Sequence, residues 1–140
     1  MESKLNFKQS IIAGLYAGGA AAIINTILFF TFHAAGVISD NIFPKPNEPM
    51  TVVPVIMASI VPAIIGSILF FLIEKFSSNG FKTFRIVAIV LVLLSLYSTF
   101  TVPGITTGYS LVLCVMHLVV AATLIYFIGR SENNLQTIKI

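Results

Sequence analysis

The sequence predicts an all-α integral membrane protein, an antiparallel bundle of four transmembrane helices. Of its 140 residues, 57% are hydrophobic and only 9% are charged, and the mean hydropathy is +1.01. Soluble globular domains carry about 25% charged residues, so most of this surface is not made for water. The length predicts a single domain, residues 1–140.

Four apolar runs are the candidate spans, and none of them contains Asp, Glu, Lys or Arg. They are residues 11–35, 52–73, 86–101 and 108–128. A hydrocarbon core of about 30 Å requires roughly 20 helical residues, so the third run is short unless Arg85 snorkels to the interface. Lipid leaves backbone groups no outside partner, so each span must be a helix.

The connections differ in composition. Residues 39–49 contain three prolines and three charges, a pattern that predicts an extended, solvated loop. Residues 74–85 form a polar turn, and the third connection turns at Pro103-Gly104. The last ten residues, 131–140, are expected to be a frayed polar tail.

The basic residues predict the orientation of the chain. The N-terminal tail, the second connection and the C-terminal tail hold two, three and two of the eight Lys and Arg, against one and none in the other connections. The positive-inside rule therefore places both termini in the cytoplasm, with the chain in the bacterial cytoplasmic (inner) membrane. No basic stripe with interleaved aromatics is present, which argues against nucleic acid as a partner and leaves membrane lipids.

The first span carries a stripe of small residues. Gly14, Gly18 and Ala22 recur every four residues, which puts them on one helix face where another backbone can approach closely. Two partners are open: another helix of the same bundle, or a second copy of the chain. The stripe is therefore predicted to be a helix-packing surface.

Polar residues near the membrane midplane are the sharpest functional clue. A helical rise of about 1.5 Å per residue places Asn25, Ser95 and His117 within about a turn of the span centres, together with Pro62. Such groups should face the bundle interior. They either fix the helix register through hydrogen bonds or form a ligand-binding, ion or proton site.

Catalytic and metal chemistry have little support in the sequence. Cys114 is the only cysteine, so neither an internal disulfide nor a CxxC metal or redox motif can form. His117 has no recognisable acid, nucleophile or metal-ligand partner. We therefore predict no catalytic residues, no metal site and no cofactor, which disfavours an enzyme.

The segments Ser95–Ser98 and Leu113–Ala121 resemble a bacterial family of small four-span membrane proteins catalogued as a domain of unknown function. Its members carry proline in the second span, a serine motif in the third and a Met-His dipeptide in the fourth. The counterparts in this chain are Pro54 and Pro62, Ser95, and Met116-His117. Members often have proline after the serine motif, whereas this chain delays it to Pro103. The resemblance implies the four-span topology and no activity.

Two functions from different classes follow from these features. The first is a structural or interaction subunit without enzymatic activity, as a homo-oligomer or with a membrane-protein partner, which the small-residue stripe favours. The alternative is a small transporter, channel or hydrophobic-ligand binder with a midplane site around Asn25, Ser95 and His117. The shared depth of these groups beside a proline-interrupted helix favours the alternative.

Overall fold

The computed structural model describes residues 4–137, without the side chain of Gln136, and folds them into four α-helices. In chain order they are α1, Phe7–Ala34; α2, Val52–Phe76; α3, Gly80–Thr99; and α4, Thr107–Thr137. All four are long and apolar enough to cross a membrane. The predicted all-α fold class is confirmed.

The helices extend past the apolar runs where polar side chains can support them. α1 begins at a capping box, in which Gln9 N donates to Asn6 Oδ1 and Asn6 N donates to Gln9 Oε1, both at 2.9 Å. α3 begins at Gly80, which lengthens this helix to 20 residues. The short third run is thereby embedded in a helix of sufficient length.

The frayed tail expected after residue 130 is wrong for residues 131–137, which continue α4. Ser131 Oγ donates to Phe127 O at 2.9 Å, and Leu135 packs against a buried cluster. Polar residues can extend the helix because its backbone hydrogen bonds are internal and need no particular solvent. Residues 138–140 lie outside the described part of the chain.

The helices form a ring in which α2 and α4 also meet across the middle. α1 contacts α2 and α4, and α3 contacts the same two helices, but no contact joins α1 to α3 within residues 4–137. Within the most apolar 18-residue window of each helix, 39% of α1 is buried inside the bundle, whereas only 11% of α3 is buried. The fourth corner of the bundle, α3, is therefore held more loosely than the others.

The tightest seam joins α1 to α2 through the small-residue stripe. A Cβ added at Gly14 would lie 2.6 Å from Ser67 Cβ, and one at Gly18 would lie 3.0 Å from Ile60 Cα. Ala22 is buried with them, at 8% exposure. The stripe packs inside the bundle, so Gly14 and Gly18 are not available to a second copy.

Two buried apolar clusters lie at opposite ends of the bundle. One contains Leu5, Ala13, Ala17, Ala63, Phe70, Phe84, Leu124 and Ile128. The other contains Phe29, Ile38, Ile42, Val55, Tyr109, Val112, Leu113 and Met116. Residues 39–49 of the first connection are mostly exposed, as predicted, but Ile42 is buried and, with Ile38 just before this range, closes the second cluster. Between the clusters lies one polar residue from each helix, Asn25, Ser59, Ser95 and His117, which together are called the polar layer.

Gly14→Ala should destabilise the bundle, whereas Gly19→Ala should not. At Gly14 the new Cβ would overlap Ser67 and force the helices apart, an overpacking cost of about 1–3 kcal/mol. At Gly19 nothing lies within 4 Å of the added Cβ, and alanine is the better helix former by up to about 1 kcal/mol. SDS titration in mixed micelles measures both free energies of unfolding. Equal values would contradict the α1–α2 seam.

Candidate ligand-binding cavity

A cavity of about 540 Å³ lies between α2, α3 and α4. Small residues face it from all three helices, among them Ala58, Gly66, Ala88 and Ala121, and the loosely held α3 cannot fill the space they leave. Ile65 and Leu91 also line the cavity and are 59% and 51% exposed. The cavity therefore reaches the lipid-facing surface of the bundle.

All four residues predicted to form a midplane site line this cavity. Asn25 comes from α1, Pro62 from α2, Ser95 from α3 and His117 from α4. The structure thus brings together positions that the sequence related only by depth. Their role in binding a ligand stays a prediction.

Asn25 ties three helices together at this depth. Its side chain is 2% exposed, and its amide nitrogen donates to Ser59 Oγ of α2 at 3.0 Å and to the carbonyl oxygen of Met116 of α4 at 3.1 Å. Both amide hydrogens are therefore used. These interhelical bonds are of the kind that fixes register inside a membrane bundle.

The hydrogen-bond partners also fix which way the Asn25 amide points. The Met116 carbonyl can only accept. Ser59 Oγ donates its own hydrogen to Val55 O at 2.9 Å, so toward Asn25 it too acts as an acceptor. The atom facing both must be nitrogen, and Oδ1 is left buried without a donor among the described residues. A buried oxygen in this state costs about 1–3 kcal/mol.

His117 presents one nitrogen to its own helix and keeps the other free. Nδ1 lies 2.7 Å from the carbonyl oxygen of Leu113, one turn earlier in α4. A carbonyl cannot donate, so Nδ1 carries the hydrogen and, in the neutral ring, Nε2 is an acceptor. Nε2 has no partner among the described residues and is not one of the buried orphan atoms, so it is reachable from the cavity.

The hydroxyl of Ser95 and the carbonyl of Ala58, which loses its helical donor because of Pro62, are two more acceptors at the cavity. Ser95 Oγ donates to Val92 O at 2.7 Å, which uses its hydrogen and leaves oxygen lone pairs. Pro62 has no N–H, so the carbonyl of Ala58, four residues earlier and also at the cavity, lacks its helical donor. α2 nevertheless remains one helix through Pro62.

Sequence reasoning missed Ser59, the residue that accepts from Asn25. Its signal was available, because Ser59 is a polar residue within an apolar run and lies close to Pro62 in depth. A helical serine often bonds to its own backbone, as Ser59 does to Val55. The additional interhelical bond could not be inferred without the relative rotation of α1 and α2.

Cys114 and the other potential metal ligands form no reactive cluster in the described range. Cys114 is half-buried, and its Sγ lies 3.2 Å from Thr99 Oγ1, which links α3 to α4. Among residues 4–137, no three His, Cys, Asp or Glu side chains are close enough to share a metal ion.

One family model matches the chain over residues 6–134, and its description is a family of unknown function, DUF6069. The match includes every residue named at the cavity. No curated protein and no solved structure matches the chain. The family description names no activity, so the cavity is the source of functional inference.

Asn25 and Ser59 should be energetically coupled. Asn25→Ala and Ser59→Ala each remove the same interhelical hydrogen bond, so the double variant should lose less stability than the sum of the single variants. Hydrogen bonds between membrane helices average about 0.6 kcal/mol and reach about 1.7, which sets the expected coupling.

Ser67 supplies the control cycle for this coupling. It is also fully buried on α2 and donates to its own helix at Ile64 O, but it lies two turns from Ser59. The Asn25→Ala and Ser67→Ala pair should be additive within about 0.5 kcal/mol. The same coupling in both cycles, measured by SDS unfolding, would rule out a specific Asn25–Ser59 bond.

Proposed function

We propose that this chain, which belongs to the DUF6069 family of unknown function, is a multi-pass membrane protein that binds a small, largely apolar molecule between α2, α3 and α4. The observation that carries the proposal is the 540 Å³ cavity, to which all four helices contribute a residue of the polar layer. Binding cavities are typically about 300–1,000 Å³, mostly apolar, with a few converging polar groups. This cavity has both properties.

The route into the cavity favours a ligand that dissolves in the bilayer. Ile65 and Leu91 border the cavity at the lipid-facing surface, and no charged residue lines it. A ligand would therefore enter sideways from the lipid, and it would not need to lose a large hydration shell.

Ion conduction and transport receive less support than binding. A conducting site usually exposes several polar groups along a continuous path, whereas the polar side chains that line this cavity lie at one depth, between two apolar clusters. Transport sites commonly use broken helices, but α2 is unbroken at Pro62. Binding requires only the geometry described above.

An interaction subunit is the second candidate, and the outer surface of α3 favours it. Several large apolar side chains on this helix are about half exposed or more. They are Ile86, Ile89, Val90, Leu91, Leu93, Leu94 and Tyr97. Lipid or a partner helix could cover this surface. The glycine stripe is closed by α2 and is not available to a second copy.

Ala121→Phe should abolish binding in the cavity, whereas Ala122→Phe should not. Ala121 lines the cavity, so a phenyl ring there occupies the ligand volume. Ala122 is exposed on the same helix and does not line the cavity. Tritiated carbazole, a rigid tricyclic probe, is titrated onto the protein in nanodiscs with empty nanodiscs subtracted.

Wild type and Ala122→Phe should show saturable binding, and Ala121→Phe should lose at least tenfold in affinity. The neighbouring substitution controls for added aromatic surface in the bilayer. Absence of saturable binding in the wild type, or equal binding in the two variants, would exclude the cavity as the binding site.

We also propose that both termini face the cytoplasm of a bacterial cell. The excess of Lys and Arg in the tails and the second connection supports this orientation. Lys4 of the N-terminal segment donates to the carbonyl oxygens of Glu74 and Ser77. The N-terminal segment and the second connection therefore share one end of the bundle, as the orientation requires.

Cysteine labelling tests this orientation. In a Cys114→Ser background, Glu48→Cys should react with a membrane-impermeant maleimide in intact cells. Ser78→Cys should react only after permeabilisation. Both positions are exposed, and neither substitution alters the number of Lys or Arg. The reverse labelling pattern would invert the assigned topology.

A further inference from the structure

The polar groups at the cavity present hydrogen-bond acceptors and no free side-chain donors, which narrows the class of ligand. We infer, on the basis of the proposed binding function, that the ligand is an electrically neutral molecule with a hydroxyl or N–H donor on an apolar body. The basis is the orientation of each polar group at the cavity: every side-chain hydrogen is used inside the protein, and only acceptors remain.

Among residues 4–137, four cavity-lining side chains carry nitrogen or oxygen. They are Asn25, Ser59, Ser95 and His117. The two amide hydrogens of Asn25 go to Ser59 Oγ and Met116 O. The hydroxyl hydrogens of Ser59 and Ser95 go to carbonyls of their own helices, and so does the Nδ1 hydrogen of His117.

The groups that remain are acceptors on all four helices. Asn25 Oδ1 is buried and has no donor among the described residues. His117 Nε2, the lone pairs of Ser95 Oγ and the carbonyl of Ala58 complete the set. A ligand hydroxyl or N–H can pair with the acceptors that are not buried, whereas an ether or ketone oxygen finds no side-chain donor there.

The charge of the surroundings favours a neutral donor over a cation. No Asp or Glu of the described residues lines the cavity, so an ammonium group there would lack a counter-charge at membrane depth. An isolated charge in such a place costs several kcal/mol. No Lys or Arg lines the cavity either, which disfavours an anion for the same reason.

A pair of isosteric probes separates donor selection from simple apolar binding. Carbazole and dibenzofuran are flat tricycles of nearly equal shape, and they differ in an N–H against an ether oxygen. Tritiated forms of both are titrated onto the wild-type protein in nanodiscs. Carbazole should bind about five- to tenfold more tightly, as expected for one hydrogen bond of about 1 kcal/mol or slightly more.

The preference for carbazole over dibenzofuran should disappear in the double variant Ser95→Ala, His117→Phe. These two residues hold the acceptors that a rigid in-plane N–H can reach, since Asn25 Oδ1 is buried. The matched control is Ser98→Ala, Thr123→Val, which also removes intrahelical hydroxyl bonding, the Ser98 bond in α3 and the bifurcated Thr123 bond in α4, but leaves the cavity lining intact. Thermal melting verifies that both double variants fold.

The outcomes distinguish this inference from the function on which it rests. Preference for carbazole in the wild type and the control, with near-equal binding in the cavity variant, supports donor selection. Equally tight saturable binding of both probes to the wild type overturns donor selection but leaves the apolar cavity standing. A preference for carbazole that persists in the Ser95→Ala, His117→Phe variant also overturns donor selection. Saturable binding of neither probe overturns the proposed binding function itself.

Discussion

The cost of leaving a polar group unpaired in hydrocarbon is the constraint on which this structure depends. It makes the four spans helical, because only helices satisfy their backbone within each segment. The same cost requires the few polar side chains within the spans to find hydrogen-bond partners. Asn25 meets it by bonding to α2 and α4 at once, so one amide group sets how three helices align.

The cavity is a consequence of unequal packing around the bundle. Glycine and alanine let α1 and α2 approach until an added methyl group at Gly14 would overlap its neighbour. α3 has no comparable stripe, and it meets α2 and α4 with far less of its surface buried. Small residues on the inner faces then leave space beside a polar layer that is only partly satisfied. Packing and polarity together produce the site.

Much of this arrangement was predictable from particular residues. Uncharged apolar runs identify the spans, and an asparagine or histidine within such a run stands out because burying it is costly. The sequence thereby led to Asn25, Pro62, Ser95 and His117, which the structure places around one cavity. The pairing of Gly14 with Ser67 of α2 was not predictable, because a stripe of small residues does not name its partner.

Other features depend on three-dimensional detail that no sequence pattern carries. The bond between Asn25 and Ser59 requires the relative rotation of two helices. The acceptor character of the cavity depends on where each hydrogen goes, which is a property of rotamers. The helical continuation through residues 131–137 was missed because polar composition alone does not distinguish a helix outside the bilayer from a loose tail.

Because α1 and α3 make no contact, a substitution in one of these helices does not act directly on the other. Three helices share the Asn25 bonds, and changes there disturb the whole bundle. α3 forms one wall of the cavity and touches only two neighbours, so its substitutions alter the wall while sparing the α1–α2 seam. Ala88, Leu91 and Val92 are positions of this kind. A change of side-chain size in α3 would therefore alter the width of the cavity without rebuilding the scaffold.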